Sequence, residues 1–235
     1  MADDLHDPAP TAAQPPRIEQ TLEVAAFLFL IVPGLALSYF VKGPASLRFE
    51  LLAVSTVLRD LSLVALLLFF LWRNREPFSW IGLTHRNLLG EALLGVLLYV
   101  PFAFITGWLE RVFERSGLSA PGPSSPFAFR GTGDLALAIF MVVVVAIAEE
   151  AIFRGYLLRR FIAITGSATF SVVLSTVIFA LGHGYEGTAS VLTVGVMGLF
   201  LAVLYLWRRS LVAPIVLHFL QDFIAIVLVP LAHTR

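Results

Sequence analysis

Residues 135–154 read LALAIFMVVVVAIAEEAIFR. An unbroken apolar run from Leu135 to Ala148 leads into Glu149 and Glu150, and Arg154 follows four residues after Glu150. A helix needs about 20 predominantly apolar residues to cross a hydrocarbon core about 30 Å thick, and this stretch has that length. A charge near the bilayer centre costs about 2.5–3.5 kcal/mol on insertion scales, so three in one such helix mark it as facing a polar interior. Glu150 and Arg154 share a helical face, with the Glu N-terminal, which is the favourable order for a pair four residues apart. Glu149 is turned about 100° from that face. It has no local cation and must find its partner on another helix. The unpaired carboxylate is the candidate for chemistry, and the Glu150–Arg154 pair is the candidate support.

The rest of the chain has the same character. Of 235 residues 58% are hydrophobic and 14% charged, with a mean hydropathy of +0.88, against about 25% charged in a soluble domain. The expected fold is all-α: a polytopic membrane helix bundle of about seven to eight transmembrane helices around a polar intramembrane cavity. The lipid bilayer is thus the first partner. The formal net charge is +0 and the pI near 7.0, so nothing points to nucleic acid. The absence of cysteine excludes disulfides, thiolate metal sites and a cysteine nucleophile.

Windows of membrane-spanning length fall at Leu22–Val41, Leu51–Trp72, Asn87–Trp108, Asp134 to Arg159-Arg160, Thr165–His183, Thr188–Trp207 and Leu211–Leu231. A break near Pro214 in the last window would raise the count to eight. Pro77–Arg86 reads as an interfacial piece with Phe78, Trp80 and Ile81 as headgroup-level anchors. Residues 1–20 are Pro- and Ala-rich and are expected to be a disordered tail without the pattern of a signal peptide. Residues 21–235 then form a single domain with a motif-bearing core at 134–231. The Pro-, Gly- and Ser-rich loop Glu110–Gly133 reads as a lid or a connector. With seven alternating spans, eight Lys and Arg residues fall on the N-terminal side and six on the other, which favours a cytoplasmic N-terminus. No internal repeat is visible, which disfavours an inverted-repeat transporter.

Two further windows carry polar residues. His183 closes the fifth, and His218 and Asp222, four apart on one face, lie in the last. A carboxylate can hold an imidazole in one tautomer and stabilise its charged form, and two histidines with carboxylates can also bind a divalent metal. A buried Glu as general base, with an imidazole as proton donor, fits hydrolysis by activated water. No G-x-S-x-G and no H-E-x-x-H occurs, so serine-hydrolase and common zinc-protease readings lack support. Arg59 and Asp60 read as packing or cavity-lining charges, Glu91 as interfacial, and Glu186 as a spare carboxylate at a cavity mouth.

Together these segments resemble a known family. Glu149-Glu150-Ala151-Ile152-Phe153-Arg154 is similar to the E-E-x-x-x-R motif of the CPBP family, bacterial relatives of the type II CAAX prenyl endopeptidases. Phe179 to His183 matches its F-x-x-x-H motif and His218 to Asp222 its H-x-x-x-N/D motif. The resemblance covers Asp134 to Leu231 and implies an intramembrane endopeptidase of a bacterial inner membrane, acting on a membrane-associated substrate, and leaves open whether that substrate is a prenylated CAAX-type tail. It implies Glu149 and His183 activating the water, His218 and Asp222 orienting or stabilising the oxyanion, and Glu150, Arg154 and Phe179 in support. It leaves open one divalent metal such as Zn2+, held by His183, His218, Glu149 and Asp222, or none. A non-catalytic immunity or scaffold protein of the same fold is the alternative.

One depth does not agree. At 1.5 Å per residue Glu149 lies about 15 Å from Arg159 and His218 about 14 Å from Arg209, whereas His183 lies about 27 Å from Thr165. The fifth helix is therefore expected to start later, near Thr169 or Phe170, or to tilt strongly.

Overall fold

The computed structural model describes residues 15–38, 49–84, 87–119, 129 and 131–233. Most of the expected tail, and the middle of the Glu110–Gly133 loop, lie outside these residues. Helix α1 spans Arg17–Ser38, α2 Phe49–Arg73 and α3 Leu88–Arg115. Helix α4, Thr132–Glu149, runs without a break through a π-helical segment, Glu150–Leu157, into α5, Leu158–Thr165. Then follow α6 Ala168–Leu181, α7 Thr188–Arg208 and α8 Val212–Asp222, which passes through a second π-helical segment, Phe223–Leu228, into α9 Val229–His233.

Six helices are long and apolar enough to cross a membrane, and the shorter apolar α6 lies between two of them. The fold is the expected polytopic helical bundle, and no strand occurs among the described residues. Many large apolar side chains face outward, among them Phe29, Leu97, Val100 and Phe104, each more than 70% exposed or close to it. In water such a surface would aggregate. In lipid it is the favourable outer coat.

Several boundaries differ from expectation. Helix α1 begins at Arg17, inside the expected tail. Pro214 causes no break: it stands in the first turn of α8, where a missing N–H has no partner to lose. Trp80 and Ile81 are buried in the core instead of facing outward as anchors, on a 3-10 turn, Phe78–Ile81, that packs under the π-helical segment. Gly155 allows that contact, because a Cβ there would lie 3.0 Å from the Ile81 carbonyl oxygen. Glu91 is also buried, and its Oε1 accepts from Arg208 Nη2 at 2.6 Å.

The N-terminal end of the bundle is closed by a buried polar network. Arg160 donates to both Glu76 oxygens, Arg73 Nη2 and Asn74 Nδ2 donate to Glu23 Oε1 at 2.8 Å, and Tyr156 donates to Glu23 Oε2 at 2.7 Å. Arg160 is fully buried rather than marking a membrane surface, and its guanidinium lies 4.4 Å from the Trp80 ring. Paired charges of this kind remove most of the desolvation cost of each other. The network ties α1, α2 and α5 together and sets the height of the α4–α5 rod that carries Glu149. Helices α3 and α8 pack on each other, as do α2 and α4, α4 and α8, and α6 and α7. These pairings bring the polar residues of α2, α4 and α8 to one place.

Candidate functional site

Glu149 ends the α-helical part of α4, and Glu150 opens the π-helical segment. π-Helical turns inside α-helices are rare and concentrate at functional sites. Here both such segments begin at the polar residues, one at Glu150 and one directly after Asp222.

Glu150 is fully buried and its Oε1 accepts two bonds of 2.8 Å, from Arg154 Nη1 and from His218 Nδ1. Arg154 is equally buried. Its guanidinium lies 4.2 Å from the Phe179 ring, and Nη2 reaches the Gly198 carbonyl at 3.4 Å. The expected pair is therefore present. It also grips His218 on the facing helix and fixes Nδ1 as a donor.

His218 turns its other nitrogen to two carboxylates. Nε2 is 3.4 Å from Asp222 Oδ2 and 3.9 Å from Glu149 Oε2. Glu149 has the cross-helix partner its spacing demanded: Arg59 Nη2 of α2 lies 3.6 Å from Oε1. Glu149 Oε2 is buried with no hydrogen-bond partner. Arg59 is itself tied to Asp60 Oδ1, with Nε and Nη2 each at 2.8 Å. Arg59 and Asp60 thus belong to the cluster. Their adjacency in one apolar window marked them in the sequence, but nothing local showed which helix they would face. The cluster reaches the exterior through Arg59, whose side chain is 57% exposed, and Asp222 at 21%.

His183 is separated from the cluster by the Phe179 ring, whose centroid lies 5.2 Å from that of His183. Helix α6 starts at Ala168 and ends at Leu181, so His183 lies past its end on the turn leading to Gly184–Glu186. Its Nδ1 is 3.2 Å from the Phe179 carbonyl oxygen and its ring stacks at 6.5 Å on Tyr185. No hydrogen bond or ion pair joins it to Glu149. The helix starts later than Thr165, as the depth comparison expected, and the rings of Phe179 and His218 meet edge to face at 6.1 Å. Glu186, on the same turn, is pushed above the ordinary carboxylate range, chiefly by burial, while neighbouring His183 and the Tyr185 hydroxyl pull it back and Asp222 and Glu110 add to the rise.

The donor set does not fit a divalent metal. Among the described residues no group of three or more His, Asp or Glu side chains is placed to hold one. Of the ligand set His183, His218, Glu149 and Asp222, the Phe179 ring lies between His183 and His218. The position beside Glu149 is held by the Arg59 guanidinium, which a second cation would have to displace.

The fold and the cluster define a polytopic helical membrane protein with a buried acid, imidazole and guanidinium site formed by three helices. The type II CAAX prenyl endopeptidase Rce1-like family model matches residues 131–224, from the start of α4 to just beyond Asp222. Through this segment, less than half of its length, the chain is similar to the type II CAAX prenyl endopeptidase family. No curated protein and no solved structure shows a significant match.

Proposed function

We propose that the protein is an intramembrane endopeptidase that hydrolyses a peptide bond of a membrane-associated substrate with water activated by Glu149. The observation that carries this reading is the unpartnered, buried Oε2 of Glu149, 3.9 Å from His218 Nε2. A general base must reach the proton it removes directly or through one water, and this oxygen has no competing donor. The attacking water gives its proton to Glu149 as its oxygen bonds to the carbonyl carbon. His218, with Nδ1 held by Glu150 and Nε2 open toward the cluster, protonates the leaving amine. Asp222 steadies the imidazole, while Arg154 and Phe179 hold Glu150 and the His218 ring from behind.

The family resemblance assigns His183 to the same water. Its ring hangs on a turn between Gly182 and Gly187, and closure of that turn on a substrate would carry it toward Glu149. Catalytic hydrogen bonds often tighten only in the substrate complex.

For the substrate we favour a lipid-bound peptide tail, the prenylated CAAX type being the class in the family description. The eight Lys and Arg residues on the N-terminal side of the spans, against six on the other, support a cytoplasmic N-terminus, and a bacterial inner membrane is the compartment we propose.

The test uses the full-length protein in lipid vesicles and a quenched fluorescent farnesylated peptide ending in a CAAX sequence, alongside the same peptide without the lipid. Glu149→Ala is expected to abolish cleavage at normal abundance in the membrane. Undiminished cleavage by this variant would leave the non-catalytic scaffold as the better account of the cluster.

A further inference from the structure

Four carboxylates, Asp60, Glu149, Glu150 and Asp222, meet in the cluster. An oxyanion forming among them needs a donor that is not already used. Ionised Asp222 has only acceptors to offer. Arg154 is committed to Glu150 and the Gly198 carbonyl, with its plane against Phe179. His218 is bonded through Nδ1 to Glu150, and its Nε2, 3.4 Å from Asp222 and 3.9 Å from Glu149, is taken by its role as acid to the leaving amine. Arg59 is different. Its Nε and Nη2 hold Asp60, Nη2 faces Glu149, and Nη1 has no partner among the described residues. A guanidinium is planar, with five donors in a fixed fork, so occupying one edge aims the other. With the side chain 57% exposed, that edge is open to an incoming peptide. Nη2 lies 3.6 Å from Glu149 Oε1, so the guanidinium faces the cluster rather than away from it.

We propose that Arg59 is the oxyanion donor of this site, a catalytic residue supplied by α2 from outside the segment 131–224 that the family model covers. The assignment rests on the reading of Glu149 as general base. As the water oxygen bonds to the carbonyl carbon, one water proton passes to Glu149 and the carbonyl π pair moves onto oxygen. That oxyanion accepts from Arg59 Nη1. On collapse the C=O re-forms, the C–N bond breaks and its electron pair takes a proton from His218. The proton on Glu149 then returns to His218, and the site is restored. Asp60 holds the guanidinium in register as a positioning residue.

The experiment measures kcat and KM for the farnesylated CAAX peptide, and the affinity of the matching phosphinate, whose tetrahedral oxygens imitate the oxyanion. The proteins are wild type, Glu149→Ala, Arg59→Gln, Arg59→Lys and the Asp222→Asn combination of each Arg59 variant, all in vesicles at matched abundance. Loss of one oxyanion donor lowers kcat by about 10²–10³-fold, so Arg59→Gln is expected to fall in that range with KM nearly unchanged and phosphinate affinity reduced in parallel. Arg59→Lys, which keeps a cation, is expected to keep more than about a tenth of wild-type kcat. Asp222→Asn places an amide N–H on the opposite wall and is expected to recover about tenfold of the Arg59→Gln loss, which a purely structural role for Arg59 would not allow. An Arg59→Gln enzyme with wild-type kcat, or one whose loss Asp222→Asn leaves untouched, overturns the proposal. If Arg59→Gln does not accumulate, the Arg59→Lys pair decides on the same terms: a kcat deficit that Asp222→Asn fails to recover counts against it. Cleavage by Glu149→Ala would overturn the general-base reading and this inference with it. A dead Glu149→Ala beside a fully active Arg59→Gln overturns only the inference.

Discussion

Replacing Arg154 by Met is expected to cost about 4 kcal/mol of stability. Most of that loss is expected to return when Glu150 is replaced by Gln as well. The two side chains are 2% and 0% exposed and joined at 2.8 Å. Removing one partner of a buried pair costs about 3–5 kcal/mol, because the other charge is left in a dry site. His218 still donates to Glu150, which limits the loss, and the missing guanidinium over Phe179 at 4.2 Å adds to it. A desolvated cation–ring contact is worth about 2 kcal/mol, part of which the Met thioether regains by packing. With Gln at 150 no charge is stranded, and its amide oxygen still accepts from His218. The double variant should therefore lie only about 1–2 kcal/mol below wild type, in the range of one weakened buried hydrogen bond. Total stabilities run about 5–15 kcal/mol, so the single variant shifts the folded-to-unfolded ratio by about a thousandfold. Equilibrium unfolding in mixed micelles of mild detergent and dodecyl sulfate reads both values. A single variant within about 1 kcal/mol of wild type, or a double variant less stable than the single, would show that the pair does not carry the burial of this segment.

Other expectations test the framework and the turn beyond α6. Gly95→Ala would put a Cβ 2.8 Å from the Ala213 carbonyl oxygen and 2.9 Å from Val216 Cβ, forcing α3 from α8. It should cost about 1–3 kcal/mol in the same unfolding assay and lower cleavage, because α8 carries His218 and Asp222. Burial raises the Glu186 carboxyl above its ordinary value of 4.5, against the pull of His183 and Tyr185. The folded protein thus holds that proton more tightly than the unfolded chain. Stability from this group is complete below the ordinary value and is lost as pH rises through the raised one. Unfolding midpoints measured from about pH 4 to 7 should fall less steeply in Glu186→Gln than in wild type. Equal slopes would mean that Glu186 is solvated.

The separation of Glu149 from the Glu150–Arg154 pair was legible in the sequence. One residue step on a helix separates Glu149 from the Glu150–Arg154 face, and the structure keeps that separation. The bundle itself was legible for a similar reason: lipid demands long apolar runs with every backbone group bonded within the helix, so composition and window length nearly dictate the fold. Local pattern also located His218 and Asp222 on one face, where they remain.

Other features depended on contacts between segments far apart in the chain. Glu149 meets Arg59 across ninety residues of sequence, and Arg160 meets Glu76 across 84. A sequence window reports that a buried charge needs a partner, but helix rotation and height select which one. The two π-helical segments were also invisible to hydrophobic period, since each shifts a face by less than the width of an apolar stripe. They begin at Glu150 and directly after Asp222. His183 is the clearest case. Its motif placed it with Glu149, yet α6 stops at Leu181 and the residue lies past the helix end, with the Phe179 ring between it and His218. Apolar periodicity and charge spacing determined the kind of protein and most of its polar kit. Packing of α2 against α4, and of α4 against α8, decided that Arg59 rather than His183 stands beside the carboxylate, because only the assembled bundle fixes the depth at which each helix presents its side chains.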